Sequence, residues 1–318
     1  MELDFGGQSD PAIDQLRTDL AELAARGVYV GTSSWKYPGW IGQIYDEAHY
    51  LWRGKLSESR FNKTCLEEYA KIFKTVCVDA GYYRFPTAKG IEGLVSQVPE
   101  DFRFGFKVTD EITIQKFTKL PRHGPRAGKV NENFLDADLF AGAFLKPMQH
   151  LRDHIGLLIF EFSRFYPGQF ERGGEFVERL DAFLGQLPTG WQYGIEIRNK
   201  SFLHPDYFAA LNRHGVAHVF NNWTRVPPVS EQTAMDGAFT ADHFGARFLL
   251  TPGRDYQGAV DAFQPYNETK QIDSDARAAG SDLMSRQPKG KSHLFVNNRL
   301  EGNAIKTIMA MIEGLKKR

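Results

Sequence analysis

The chain has 318 residues, with 39 lysines and arginines balanced by 39 aspartates and glutamates, and 42% of its residues are hydrophobic. This composition is typical of a folded globular protein and excludes an intrinsically disordered chain. Because the formal net charge is zero, the overall charge gives no reason to expect binding to nucleic acid or to an anionic membrane.

The cysteines and the N-terminal residues indicate the compartment. Cys65 and Cys77 are too few for a disulfide framework and lack the spacing of metal ligands, so we expect a reduced, cytoplasmic protein. The first ten residues lack a basic segment followed by an apolar one, and no apolar run approaches the ~18 residues that cross a bilayer. We therefore expect neither a signal peptide nor a membrane partner, and the sequence leaves the oligomeric state open.

A helical extension, residues 1–27, precedes the first predicted strand at 28–32. Asp10 is suited to cap this helix and Pro11 to occupy its first position. After the strand comes a long aromatic segment, 33–63, and then a T-x-x-E pattern that predicts the start of a helix at Thr64.

Strands and helices alternate through the rest of the chain. Strands are predicted at 76–84, 102–108, 155–162, 192–198, 216–221, 246–251 and 292–297. Helices are predicted near 88–97, 136–150, 173–186, 205–214, 274–286 and 302–315, with a poorly defined segment around Pro227 and Pro228.

Eight strand–helix units predict an α/β fold, a TIM-type (β/α)8 barrel that forms a single domain over 28–318. The strands are apolar on both faces, as strands covered by helices must be. Long loops follow the first and third strands. An open, doubly wound sheet that binds a dinucleotide is disfavoured, because no Gly-x-Gly-x-x-Gly follows the first strand.

Five motifs in order along the chain resemble the domain-of-unknown-function 72 family, also called YecE-like. The resemblance implies a TIM-type barrel and no established activity or catalytic residues. It implies a shared pattern at Tyr83, Arg84, Lys107, Glu196, Arg198, Asn297 and Asn298. The motifs are GTSSWKYPGW (31–40), YYRFP (82–86), PEDFRFGFKV (99–108), GIEIRNKSF (194–202) and FVNNRLEGNA (295–304).

Polar residues recur at the C-terminal ends of the predicted strands, which is the face that carries the chemistry in such barrels. Side-chain alternation turns Lys107, Glu196 and Arg198 into the barrel, because Phe102, Phe104, Phe106 and Val108, like Tyr193, Ile195 and Ile197, face the helices. These charges form either a structural ion-pair network or a ligand site. We predict that they lie within reach of one another at the barrel mouth.

The residue types suggest roles for this candidate site. Glu196 and Glu161 are the candidate general acid or base, Lys107 a polarising donor and Tyr83 a phenolic donor. A Schiff base on Lys107 is disfavoured, because neighbouring carboxylates raise the pKa of an amine. The predicted substrate-binding residues are Arg84, Arg198, Arg254, Asn297, Asn298 and Trp35, since arginines suit a carboxylate or phosphate.

The favoured hypothesis is an enzyme, a hydrolase, lyase or isomerase, that binds a small anionic metabolite, phosphorylated or carboxylated, and uses general acid–base chemistry. No cofactor is predicted. A carboxylate set of Asp79, Glu161 and Glu196 is the alternative that would suit Mg²⁺ or Mn²⁺.

The two long loops leave a second hypothesis open. The segment 33–63 is aromatic, and the segment 109–135 is basic, with Lys116, Lys119, Arg122, Arg126 and Lys129. Together they would suit a lid, or a non-catalytic surface that binds nucleic acid or a nucleotide by stacking and charge. The opposing interpretation is that the aromatic residues pack the loop onto the barrel and the basic residues are solvated.

Overall fold

The computed structural model describes residues 10–172 and 174–318, so the first nine residues of the predicted extension lie outside the described range. Within that range, eight parallel strands close into a barrel in which each strand pairs with the next and the last pairs with the first. They are β1 (Val28–Thr32), β2 (Thr75–Val78), β3 (Arg103–Lys107), β4 (Ile155–Phe162), β5 (Gln192–Ile197), β6 (Ala217–Asn222), β7 (Gly245–Phe248) and β8 (Ser292–Val296). The predicted TIM-type barrel is confirmed.

Helices surround the barrel. The described α-helices are α1 (Pro11–Ala25), α2 (Glu58–Ile72), α3 (Ala80–Tyr83), α4 (Ala88–Val95), α5 (Asp110–Thr113), α6 (Ala137–Leu139), α7 (Glu175–Leu184), α8 (Pro205–Arg213), α9 (Val229–Thr233), α10 (Tyr256–Phe263), α11 (Ser274–Ser285), α12 (Asn298–Glu301) and α13 (Ala304–Lys316). A two-stranded hairpin, Leu51–Trp52 with Lys55–Leu56, lies in the loop after β1.

Alternation along the strands separates two cores, as the sequence predicts. Residues that face the helices, among them Phe102, Phe104 and Phe106, join the large outer core. The barrel interior holds a small cluster of Cys77, Leu157, Ile159, Val219 and Phe295. Glycines make room for it: a Cβ on Gly105 would lie 2.5 Å from the Phe295 ring.

The N-terminal helix is capped as predicted and packs into the same core as the barrel. The side chain of Asp10 accepts a hydrogen bond from Ala12 N, and Pro11 occupies the first position. Leu16, Leu20 and Leu23 are buried in the outer core, so α1 covers barrel surface that would otherwise be exposed to water.

The second strand is shorter than the predicted 76–84. β2 ends at Val78, and the chain turns at once into α3, where Gly81 lies against the backbone of β3: a Cβ there would be 2.8 Å from the carbonyl oxygen of Lys107. Tyr83 and Arg84 therefore do not belong to a strand.

The predicted helix start at Thr64 is wrong. α2 begins six residues earlier, at Glu58, because the hydroxyl of Ser57 accepts a hydrogen bond from Arg60 N and caps the helix there. Thr64 lies inside the helix, where its hydroxyl donates to the Arg60 carbonyl.

Two other elements differ from the predictions. The helix predicted at 136–150 is a short α-helix followed by a π-helical turn, Phe140–Leu145, and a 3₁₀ segment, Lys146–His154, consistent with a proline at 147 that cannot donate a backbone hydrogen bond. The strand predicted at 246–251 ends at Phe248, and Leu249 and Leu250 instead pack beside α10.

The aromatic loop after β1 is mostly a small core of its own. Trp35, Trp40, Tyr45 and Tyr50 are buried, whereas Trp52 on the hairpin is 60% exposed. Most of these rings therefore offer no free stacking surface to a ligand. In the described parts of the chain, no helix combines the length and the hydropathy needed to span a membrane.

Candidate functional site

The C-terminal ends of the barrel strands bring the predicted charges together. Lys107 ends β3, Glu161 lies near the end of β4, and Glu196 is followed by Arg198 at the end of β5. Glu161 and Glu196 are direct neighbours in the β4–β5 register. All four side chains point into the barrel, as the alternation of side chains along the strands predicts.

One carboxylate oxygen organises the cluster. Glu161 Oε2 accepts a hydrogen bond from Arg247 Nη1 at 2.8 Å and forms ion pairs with Lys107 Nζ and Arg198 Nη2, also at 2.8 Å. Glu196 is held on both sides, with Oε1 3.0 Å from Arg198 Nε and Oε2 2.6 Å from Arg247 Nη1. The two carboxylates therefore fix the positions of three cations.

The carboxylates lie beneath the cations. The side chains of Glu161 and Glu196 are 3% and 0% exposed, whereas Lys107 and Arg198 are 9% and 12% exposed. Burial alone would raise the pKa of Glu161, but Arg198, Lys107 and Arg247 outweigh burial and lower the pKa well below its usual range. Glu161 is thus an ionised carboxylate whose Oε2 is shared by three cations.

Lys107 is a charged donor rather than a nucleophile. Burial would lower its pKa, but the negative charges of Glu161 and Asp79 overcome this effect and the pKa is raised. The ammonium nitrogen also lies 4.0 Å from the centre of the Tyr82 ring, which stabilises the cation further.

Asp79 is the one acid of this cluster that reaches solvent. It is the residue that follows β2, its side chain is 41% exposed, and its Oδ1 lies 3.5 Å from Arg247 Nη2 and 4.0 Å from Lys107 Nζ. Among the described residues nothing donates a hydrogen bond to that oxygen, although it is buried. Asp79 therefore combines long ion pairs to two buried cations with a side chain that solvent can reach.

Arg247 was not among the residues selected from the sequence. It lies on β7, is 2% exposed, and joins Glu161, Glu196 and Asp79. Gly245, two residues earlier on the same strand, faces the barrel interior, where the lack of a Cβ leaves room for Leu157. Residues two apart on a strand share a face, so Arg247 also faces inward. That alternation was the signal available in the sequence.

The other predicted site residues lie around this cluster. Tyr83, the last residue of α3, and Arg84, which follows it, are exposed, and the Tyr83 ring lies 5.2 Å from the Arg122 guanidinium. Arg254 hydrogen-bonds Gln271 and stacks on Phe263, and in the described part of the chain no ion pair joins it to the cluster. Trp35 is buried, and its carbonyl accepts from the Tyr45 hydroxyl.

Asn297 and Asn298 lie at the end of β8, where their oxygens cap backbone. Asn297 Oδ1 accepts from Arg299 N, and Asn298 Oδ1 accepts from Ala304 N at the start of α13. Both side chains are buried. Each amide is thereby oriented with its oxygen toward the protein backbone, which leaves its nitrogen to donate elsewhere.

The carboxylate set considered for Mg²⁺ or Mn²⁺ faces nitrogen atoms. Oε2 of Glu161 and both carboxylate oxygens of Glu196 are bound by cations, namely Lys107, Arg198 and Arg247. Across residues 10–172 and 174–318, no group of three or more His, Cys, Asp or Glu side chains is arranged to hold a metal ion. Both cysteines are free thiols and buried.

The loops at this face carry an excess of positive charge, although the whole chain is neutral. The eight segments that follow the strands contain sixteen lysines and arginines against ten aspartates and glutamates. These segments are 33–57, 79–87, 108–136, 163–174, 198–204, 223–228, 249–255 and 297–303. Each contributes at least one cation, namely Lys36, Arg84, Arg122, Arg164, Arg198, Arg225, Arg254 and Arg299 among others.

Comparison with known proteins agrees with the sequence resemblance. A family model described as "Protein of unknown function DUF72" matches residues 29–318. The UPF0759 proteins YecE of Escherichia coli K12 and of E. coli O157:H7 are each 28% identical over 182 residues, which are 57% of this chain and 50% of theirs. The aligned part of the chain spans half the length of these curated relatives.

Solved structures show that the fold is shared with other proteins. A DUF72 family protein from Enterococcus faecalis V583 is 20% identical with a TM-score of 0.60, covering 91% of this chain and 95% of its own. A DUF72 family protein from Thermotoga maritima MSB8 is 18% identical with a TM-score of 0.57, covering 92% and 99%. At these identities the likeness shows the fold alone.

Proposed function

Since this chain belongs to the DUF72 family, whose description states no activity, we propose a function from the site itself: the protein binds a small anionic metabolite, phosphorylated or carboxylated, at the C-terminal barrel mouth and acts on it by general acid–base chemistry. The observation that carries the proposal is the arrangement of charge. Each of the eight segments that follow the strands contains at least one lysine or arginine, in a protein whose formal net charge is zero.

The burial order within the cluster supports binding of an anion. Arg198 and Lys107 are the cluster cations that reach the mouth, and Glu161 and Glu196 hold them from below. Arg198 is also stacked 4.0 Å from the Trp223 ring, so its guanidinium has little freedom to lose when a ligand binds. Preorganised cations of this kind suit a carboxylate or phosphate.

The side chains at the mouth would have different roles in the proposed acid–base reaction. Lys107 and Arg198 would stabilise negative charge that develops on the substrate. Asp79, whose side chain is 41% exposed and whose ion pairs to Arg247 and Lys107 are longer than those of the two glutamates, is the group best placed to accept a proton, and Glu161 and Glu196 would keep the cations in place. Tyr83, exposed at the rim, is the accompanying phenolic donor.

Thermal-shift measurements with phosphate monoesters and carboxylates test the proposal. A ligand that binds only the folded state raises the melting temperature, so at least one such anion should stabilise the protein. Arg198→Ala should abolish the ligand-induced rise, measured from the variant's own unliganded melting temperature. Arg213→Ala, which removes an arginine paired with Asp181 on the outer helices, should retain it. An unchanged rise in Arg198→Ala would contradict the assignment.

A second candidate function rests on the rim aromatics. Tyr83, Tyr166 and Tyr256 are more than half exposed, and each carries an arginine guanidinium 4.5–5.2 Å from its ring. Aromatic rings beside cations suit the bases and phosphates of single-stranded nucleic acid. Binding of this kind should weaken steeply as salt is added, and a labelled oligonucleotide that fails to bind even at low salt eliminates this candidate.

A further inference from the structure

A cavity of about 360 Å³ lies between the loop that follows β3 and the loop that follows β4. One wall is formed by residues 113–119, 128 and 130, and the other by residues 163–169. Its volume is within the range of small-molecule sites. Because both loops leave the C-terminal ends of their strands, the cavity lies on the face of the barrel that also carries Glu161 and its cations.

Hydrogen bonds hold the two walls of the cavity together. Gln169 Nε2 donates to Gln115 Oε1 at 2.9 Å, which joins the two loops directly. The backbone N–H of Phe165 donates to Asn199 Oδ1 at 2.8 Å, and Asn199 Nδ2 donates back to the Phe165 carbonyl at 3.0 Å. The cavity is therefore formed before a ligand arrives, and a ligand pays little for ordering its walls.

The charge around the cavity has one sign. The described residues that line it include Lys116, Lys119 and Arg164 and no aspartate or glutamate. All three cations are exposed, and none makes an ion pair within the described part of the chain. By contrast, Arg122 and Arg126 in the same loop are each paired with an acidic side chain. Cations left without a counterion around a cavity attract an anion.

The walls themselves are largely apolar. Ile114 and Phe165 are buried, whereas Val130 and Tyr166 are 62% and 57% exposed. Covering such exposed apolar side chains with a ligand removes them from water, which favours binding. The Arg164 guanidinium lies 5.0 Å from the centre of the Tyr166 ring, so a cation and an aromatic ring stand side by side. A flat apolar body that carries a negative charge matches both features.

The cavity is a neighbour of the cluster but does not share its cations. Ser163 lines the cavity, and its Oγ lies 3.4 Å from the hydroxyl oxygen of Tyr82. The Tyr82 ring in turn lies 4.0 Å from Lys107 Nζ. The Tyr82 side chain therefore stands between the cavity and Lys107, and a ligand in the cavity has its own set of cations.

We propose that this cavity binds a small anion with a flat apolar body, an aromatic carboxylate or an aryl phosphate. Lys116, Lys119 and Arg164 bind the anionic group, and Tyr166 and the apolar side chains of the walls cover the body. The inference goes beyond the proposed function, because this site is separate from Arg198 and does not depend on acid–base chemistry at the mouth.

Calorimetric titration at low ionic strength with benzoate and phenyl phosphate tests the inference. Acetate and methyl phosphate are the counterparts that lack the ring, and benzylamine carries the ring with the opposite charge. At least one aromatic anion should bind at least about tenfold more tightly than its counterpart without the ring, because the ring buries apolar surface. Equal affinities with and without the ring, or equally tight binding of benzylamine, would overturn the inference.

Substitutions locate the binding. Lys116→Ala combined with Lys119→Ala should weaken binding of the aromatic anion by at least about tenfold, and both side chains are exposed, so the fold should persist. The matched control, Lys63→Ala with Lys89→Ala, removes the same charge from exposed positions on α2 and α4 and should bind as the unsubstituted protein does.

Tyr166→Ala tests the aromatic part of the site separately from its charge. It should weaken binding of the aromatic anion by about fivefold, because the ligand ring loses a partner that covers it, and it should leave the affinity for methyl phosphate unchanged. A variant that bound the aromatic anion as tightly as the unsubstituted protein would contradict the placement of the ring against Tyr166.

Arg198→Ala separates this inference from the proposed function. Unchanged binding of the aromatic anion to Arg198→Ala, with loss in the Lys116 and Lys119 double variant, supports the cavity. If Arg198→Ala loses the aromatic anion and the double variant retains it, the cavity is refuted and the proposed function stands. If the aromatic anion binds in the cavity and no anion depends on Arg198, the inference stands and the proposed function fails.

Discussion

Replacing Glu161 by glutamine should lower the free energy of unfolding by about 3–5 kcal/mol, the cost of removing one partner from a buried ion cluster. Glu161 Oε2 is the shared acceptor for Lys107, Arg198 and Arg247, and the site is almost closed to water. Without its charge, three cations face only Glu196 and Asp79, and the uncompensated positive charge repels itself. Urea unfolding monitored by circular dichroism gives the value directly.

The matched control for this prediction is Glu178→Gln. Glu178 also pairs with an arginine, Arg172, at 2.6 Å, but both side chains are more than half exposed. Water screens such a pair, so the substitution should change stability far less than Glu161→Gln. A further variant, Glu161→Gln with Lys107→Met, should recover part of the loss by removing one unpaired cation. A loss in Glu161→Gln no larger than that in Glu178→Gln would contradict the cluster described above.

Lowering the pH from 7 to 5 should reduce the free energy of unfolding by about 4 kcal/mol, ~2 kcal/mol from each of two buried histidines. Burial lowers the pKa of His293 to about 3, aided by His243, Lys291 and Arg103, and lowers that of His218 to about 4. Between these values and the ordinary pKa of 6.5, the unfolded chain binds protons that the folded protein does not. Acidification therefore favours unfolding, and the loss begins as the pH falls below 6.5.

Urea titrations at pH 7 and pH 5 measure this difference, and substitution assigns it. His293→Gln and His218→Gln should each reduce the pH-dependent loss by about half, whatever their effect at pH 7, because glutamine does not titrate. His49→Gln removes a histidine that is 60% exposed and serves as the control. A pH-dependent loss that persists in full in both buried-site variants would show that other groups cause it.

The barrel and the central charged residues of the site could be predicted from the sequence, because both depend on the alternation of side chains along single strands. Along β3 and β5 a period of two residues separates apolar outward positions from Lys107 and Glu196. Closure of parallel strands then brings residues from distant parts of the chain to one rim. Nothing beyond the pattern of each strand is needed to predict that these charges meet.

Arg247 was not predicted as a site residue, because an apolar run continues past the end of its strand and the strand end could not be placed from the sequence. β7 ends at Phe248, but Leu249 and Leu250 extend the run and pack in a separate cluster with Ala259 and Phe263. Arg247 therefore looked like an interruption within a strand rather than a group at its end.

Long-range contacts explain the other places where the structure differs from the sequence predictions. The four-residue α3, which removes Tyr83 and Arg84 from a strand, forms where Gly81 meets the backbone of Lys107. The aromatic loop after β1 packs Trp40, Tyr45 and Phe61 against one another, and its composition alone does not distinguish buried rings from exposed ones. In both places the partner is supplied by another part of the fold.

The most direct test of anion binding at the mouth is a crystal of the protein soaked in tungstate, a tetrahedral anion whose anomalous scattering locates it without ambiguity. We predict an anomalous peak at the C-terminal mouth, within hydrogen-bond distance of Arg198 or Lys107. A map with peaks only on the outer helices, and none at the mouth, would contradict the account.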